Sequence, residues 1–305
     1  MSREPVSRQG LANDRELLPV RCGYADTRAG QLHYRSCGAG PDIVLLHWAP
    51  ASGRMYEHVL PLVARAGFRG IAFDLPGYGR SHKKARGWGP DRVAREVLEA
   101  AHSLNTGPMT VVGGHASSAV AIEMLLAEPQ RVVAGVLDGV IALTPEETKT
   151  LMSAFAGLSP RIRADGGHRS FPFDMTCAVM KEWRPDFKLD ADSMPAVYEL
   201  MRDYLEMGYE PIKAWVDPDP SQVPPARYDP LERLTRVTQP LLVLSADDDA
   251  LAAAYPRALA KCRDGQGFKF SGSHPLLDSA RSPEYASVIA NFAPRRQGSA
   301  QSGSG

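Results

Sequence analysis

Short apolar runs in this chain each end in a turn motif and are followed by a segment of helical periodicity. That alternation constrains the fold more than any other feature. Gln31–Ser36 reads as a strand, and Gly38–Pro41 as a turn. Asp42–Leu46 (D-I-V-L-L) reads as a buried strand ending at His47. Tyr56–Ala66 is expected to be helical, Gly70–Asp74 a strand, and Arg92–Ser103 a helix with Val93, Val97, Leu98 and Ala101 on one face. Met109–Val112 is a strand running into Gly113–Gly114–His115, Ser118–Ala127 a helix, and Val132–Leu137 and Leu241–Leu244 further strands. Repeated strand, turn and helix predicts an α/β fold, with a mostly parallel sheet flanked by helices. Ligands of such sheets bind outside the carboxyl ends of the strands.

The rhythm breaks between about Thr144 and Arg236. Six of the ten Met lie there (Met152, Met175, Met180, Met194, Met201 and Met207), beside Phe155, Phe171, Phe173, Trp183, Tyr198, Tyr204 and Trp215. Two readings stand together: a helical subdomain with its own core, and a cap whose inner face lines an apolar pocket through adaptable Met side chains. The expected division is an extension over 1–20, a first core part over 21–143, a helical cap over 144–235, a second core part over 236–294 and a flexible tail over 295–305.

Composition removes several function classes. The 35 Lys and Arg balance 35 Asp and Glu, so no long-range field draws the chain to nucleic acid or an anionic membrane. Cys22, Cys37, Cys177 and Cys262 are far apart with no C-x-x-C pair, which argues against a disulfide scaffold or zinc site and for a reducing compartment. The first residues lack a signal-peptide apolar core, and no apolar run approaches the length of a membrane span. The expectation is a cytoplasmic protein with no cofactor and no metal. Its partners are expected to be a small-molecule substrate and, at most, a second copy of the chain.

Five motifs then occur in order. They are H-W-A-P (His47–Pro50), D-L-P-G-Y-G-R-S (Asp74–Ser81), G-G-H-A-S (Gly113–Ser117), A-D-D-D (Ala246–Asp249) and G-S-H-P (Gly272–Pro275). Their order and spacing resemble the α/β-hydrolase superfamily over roughly residues 21–143 and 236–294. The resemblance implies an α/β-hydrolase fold with an inserted helical cap.

The departure lies at the strand-to-helix elbow, where the superfamily carries G-x-S-x-G. With Gly113–Ser117 in the five positions, His115 is the raised residue. Shifted by one, Ala116 takes that place and reads as a Ser→Ala replacement. Ser117 and Ser118 are expected to serve backbone donors at the helix start. The resemblance places His274 where the superfamily has its base, with Asp249 as the acid behind it. Asp248 and Asp138 are the fallbacks. Backbone N–H groups of Trp48 and Ala116 would form an oxyanion hole. Trp48 stands in place of the usual glycine and could offer a stacking face to a flat substrate. His47, Trp48, Met152, Phe155 and Trp183 are the expected substrate-binding side chains, with His47 bracing the loop.

A histidine at the elbow suits proton chemistry better than acyl transfer, because an acyl-imidazole is labile. Two adjacent imidazoles resist carrying two charges, so His115 is expected to work as a base. Elimination, isomerisation, cyclisation or water-assisted hydrolysis would follow, with His115, His274 and Asp249 as the catalytic group. Two other readings remain open: an ester or C–C hydrolase inactivated at position 116, and a non-catalytic small-molecule binding protein. A facial metal triad and a nucleotide loop at Gly77–Gly79 are both disfavoured, the first because a triad acid sits behind its histidine.

Overall fold

A computed structural model describes residues 18–83, 88–153, 162–207 and 228–295. Eight strands form one sheet in the order β1-β2-β4-β3-β5-β6-β7-β8. They are β1 (Arg21–Asp26), β2 (Gln31–Cys37), β3 (Asp42–Leu46), β4 (Arg69–Phe73), β5 (Met109–Gly114), β6 (Val132–Asp138), β7 (Leu241–Ala246) and β8 (Gly265–Phe270). β2 pairs antiparallel with both β1 and β4, and every other pairing is parallel. Helices α1 (Leu60–Arg65), α2 (Pro90–Ser103), α3 (Ala116–Ala127) and α4 (Pro145–Ser153) come next in chain order. They are followed by α5 (Phe171–Trp183), α6 (Met194–Met207), α7 (Pro230–Leu234), α8 (Tyr255–Leu259) and α9 (Ser282–Phe292).

The strand alternation decides which helix covers which face. Val44 and Leu46 of β3 point into a cluster with Val93 and Val97 of α2 and Val120 and Leu125 of α3. Ile43 and Leu45 point the other way, to Leu60 and Val63 of α1 and Tyr285 and Ile289 of α9. A strand apolar on both faces must be covered on both, and each such side chain contributes ~1.5–3 kcal/mol on burial.

β3 lies between β4 and β5, so the chain leaves it to one side through α1 and passes to the other through α2. That reversal opens a crevice at the carboxyl ends of β3 and β5. Both the H-W-A-P loop and the elbow leave the sheet there. Between β6 and β7, α5 and α6 pack on each other through Phe171, Met175, Val179, Leu200 and Tyr204, and against Ala51 just beyond that loop.

Two expectations are corrected. The helix expected over Tyr56–Ala66 begins only at Leu60, because Ser52 caps a short 3-10 turn over Gly53–Tyr56 first and Pro61 then suits the opening turn of α1. The edge strands β1 and β8 fall outside the strand runs bounded from the sequence. R-C-G-Y-A-D and G-Q-G-F-K-F carry exposed polar residues and glycine, and lack the apolar signal of a central strand.

Candidate active site

β5 ends at Gly114, and the chain turns into α3 at His115, which adopts φ +49° and ψ −119°. A non-glycine residue there costs ~1–3 kcal/mol and is held by its surroundings. The His115 amide donates to the carbonyl of Asp138 (2.8 Å). Beneath the turn, Ser117 Oγ accepts from the Gly114 amide (2.9 Å) and lies 2.8 Å from the Leu46 carbonyl, to which it donates. Ser117 and Ser118 are both buried. Ala116 is the first residue of α3, so the raised position belongs to His115.

The Trp48 indole stacks on the His115 imidazole with centroids 3.8 Å apart and planes 9° from parallel. Trp183, on α5, meets Trp48 edge-on at 5.3 Å, and His274 does so at 4.8 Å. The stack depends on Gly114, because a Cβ there would lie 2.0 Å from Trp48 Nε1. His47 is fully buried. Its Nδ1–H donates to the Trp48 carbonyl (2.8 Å), and its Nε2 accepts from the Leu75 amide (3.0 Å). Burial pushes the His47 imidazole below its usual range, outweighing the Trp48 carbonyl and the Asp74 carboxylate. His47 therefore braces the loop that carries Trp48. It offers no surface to a ligand, which corrects its expected place among the substrate-binding side chains.

The two carboxylates are distributed differently from the expected triad. Asp249 Oδ1 accepts from the Leu251 amide (2.7 Å), which turns Oδ2 toward His115 Nε2 at 3.4 Å. Its carboxyl is held below the usual range: burial alone would raise it, but the charge and hydrogen bond of His115, the Leu251 amide and the charge of His274 outweigh burial. His274 instead pairs with Asp138, Nε2 to Oδ1, at 2.9 Å. Tyr285 donates its hydroxyl to the other Asp138 oxygen (2.8 Å), and His274 Nδ1 accepts from the Leu276 amide (3.2 Å). Both nitrogens of His274 are thus committed. The expected Asp249–His274 pair gives way to two separate His–Asp pairs, because Asp138 closes β6 directly beneath the His274 loop while Asp249 is turned by its own backbone contact. Asp248 is exposed, and its amide donates to the Gly272 carbonyl (3.3 Å).

Gly139 is a site residue that the sequence reading missed. It adopts φ +72°, and a Cβ there would come within 2.7 Å of His115 Cδ2 and 3.3 Å of Asp249 Oδ2. The D-G pair closing β6 was the available signal. Tyr285 gave none, since it lies on α9, far from any motif. Phe155 lies outside the described residues. Met152 falls in α4, with its side chain outside the description. Among the described residues no three His, Cys, Asp or Glu side chains are arranged to hold a metal ion, and no helix is long and apolar enough to cross a membrane.

This strand order and elbow define an α/β-hydrolase architecture, and comparison with known proteins agrees. Residues 43–288 match the alpha/beta hydrolase family, and the chain belongs to that family. It is 33% identical over 126 residues to the bifunctional epoxide hydrolase 2 of Rattus norvegicus, a match covering 38% of this chain and 23% of that protein. A putative non-heme chloroperoxidase of Synechocystis is 26% identical over 160 residues, covering 45% of this chain and 58% of the relative. The chain therefore spans under two thirds of the length of these relatives. Among solved structures, a bromoperoxidase from Bacillus anthracis aligns with a TM-score of 0.68 at 19% identity, covering 89% of this chain and 99% of that one. An epoxide hydrolase from an endophytic Streptomyces aligns at 0.67 and 20% identity, covering 90% and 95%. At such identity the structural likeness speaks for the fold alone.

Proposed function

We propose that this protein is a cofactor-independent enzyme that acts on a small, largely apolar organic substrate by acid–base chemistry centred on His115. The observation that carries this reading is the placement of an imidazole, in a strained backbone conformation, at the top of the sheet with Asp249 behind it. Nε2 faces the carboxylate, which leaves Nδ1 to take a proton from a substrate carbon, a hydroxyl or a water. Asp249 then stabilises the imidazolium, as the acid of a triad does. The first amides of α3 have no intrahelical acceptor. Ala116 N–H, with Trp48 N–H from the facing loop, would donate to an oxygen that gains negative charge. His274 acts as a positioning residue, since Asp138 and the Leu276 amide hold both of its nitrogens.

The reactions open to such a group are elimination, isomerisation, cyclisation and water-assisted hydrolysis. The helices between β6 and β7 serve as the cap that keeps water from the bound substrate. The test is proton–deuterium exchange in D2O across a panel of enolisable ketones, esters and lactones, followed by NMR. Wild type is expected to exchange at least one of them. His115→Ala and Asp249→Asn should each lose that exchange with unchanged circular dichroism. Full exchange by folded His115→Ala would overturn the proposal.

A further inference from the structure

Away from the elbow, α6 meets the core along a seam whose charges are unevenly matched. Asp203 of α6 is 5% exposed. Its Oδ1 accepts from the Ser52 hydroxyl (2.9 Å), and Arg54 Nε lies 3.6 Å from the same oxygen. One turn further on, Glu206 Oε2 lies 3.7 Å from Arg54 Nη2, while its Oε1 accepts from Arg202 (3.1 Å) and lies 3.9 Å from Arg80 Nε. Lys83 donates to the carbonyls of Glu206 (3.0 Å) and Met207 (3.1 Å) at the end of the helix, where a cation suits the dipole. Asp203 and Glu206 thus share the Arg54 guanidinium, and neither contact is close. Arg54 Nε and Nη2 and Glu206 Oε2 are buried beyond hydrogen-bond distance of any partner among the described residues. By contrast, Glu123 and Arg233 form a two-pronged pair at 2.7 and 2.6 Å. The other helix packed on α6 adds no charge here: α5 presents Phe171, Met175 and Val179.

We propose that this seam is a proton-operated latch: a proton taken from solvent onto Asp203 holds α5 and α6 down on the loop that carries Trp48, and its loss loosens them. A buried carboxylate with no matched cation is costly and takes a proton instead. Burial, backed by the charges of Asp74 and Glu206, lifts the Asp203 carboxyl to about 6 against the Ser52 hydroxyl and Arg54. Asp74 does not share this change. Burial opposes its ionisation too, but His33, the Arg80 amide, His47 and Arg35 outweigh it and hold Asp74 at about 2. The nearby Tyr78 and Tyr204 hydroxyls are pushed up by burial and stay protonated. With α6 lifted, Asp203 meets water and returns to the usual carboxylate range. Docking therefore takes up a proton between that range and about pH 6, so it is tightest in acid and weakens as pH rises through 6. The neutral Asp203 leaves Arg54 to Glu206. Ser52 and Arg54 follow Trp48 along the same loop, and Trp183 of α5 meets the Trp48 indole edge-on, so loosening opens the aromatic end of the site. The latch does not depend on the reaction at His115.

The test is amide hydrogen exchange of the full-length protein, followed by mass spectrometry between pH 5 and pH 8 and normalised to the intrinsic rate at each pH. Peptides covering α6 and Gly53–Tyr56 report the seam, and peptides from β5 report the core. In wild type, protection along the seam is expected to fall roughly tenfold across this range relative to β5, the ratio set by a carboxyl lifted from its usual range to about 6. Asp203→Asn, neutral at every pH, should show no such fall. A flat wild-type profile, or an equal fall in folded Asp203→Asn, would overturn the inference. Should Asp203→Asn not fold, Arg54→Gln decides. Removing the cation beside Asp203 should move the transition to higher pH, and an unmoved transition would overturn the latch.

Discussion

Two histidines at the carboxyl end of one sheet meet two aspartates in different ways. His274 is 2% exposed, lies 2.9 Å from a fully buried Asp138, and is flanked by a tyrosine hydroxyl and a backbone amide that fill the remaining positions. The His115 side chain is 11% exposed and lies 3.4 Å from Asp249 on a backbone that no ordinary residue favours. In the first pair both ring nitrogens and both carboxylate oxygens are engaged, which suits the work of holding the β6 end, the His274 loop and α9 together. Among the described residues the second keeps one ring nitrogen without a partner and sits on a strained backbone, as reactive groups do. We propose that this chain divides the two jobs between its two histidines.

The division can be broken at either end. The largest effect is expected from Asp138→Ala. It strips the acceptor from both His274 and Tyr285 in the core, and should cost about 3–5 kcal/mol in urea denaturation. Gly139→Ala should cost ~1–3 kcal/mol, because it puts a side chain at φ +72° and drives a Cβ into His115. Its folded fraction should also lose most proton exchange, measured per folded molecule. His115→Gly relieves the strained turn, so its stability should stay within about 1 kcal/mol of wild type or rise, while exchange is lost.

The smallest effect concerns acid. The folded Asp249 carboxyl titrates below the usual carboxylate range, so its contribution is fully present above that range and is lost as pH falls through the lower, folded value. Asp249→Asn should flatten this part of the stability curve below about pH 4 and leave it unchanged near neutrality.

Much of the scaffold was legible in the residues, and much of the wiring was not. Asp42–Leu46, Val132–Leu137 and Leu241–Leu244 announce themselves because strands covered on both faces must be apolar throughout. β8 escapes the same logic, since G-Q-G-F-K-F lies at an exposed edge. The elbow histidine could be read off G-G-H-A-S, because a turn of fixed length follows β5. The partner of each histidine could not. Asp138 and Asp249 both close parallel strands, and the choice between them rests on the Leu251 amide and on a tyrosine from α9. Both are tertiary contacts that leave no local pattern. The expected stacking face of Trp48 is likewise taken by His115, a contact made available by the missing Cβ of Gly114.

The central claim is that His115 does the chemistry and His274 holds the frame. The direct measurement is proton–deuterium exchange per folded molecule, with the Tm recorded alongside, in His115→Ala and His274→Gln. The account predicts no exchange and a near-native Tm for His115→Ala, with a lowered Tm and measurable exchange for His274→Gln. Exchange retained by His115→Ala and abolished in folded His274→Gln would contradict it.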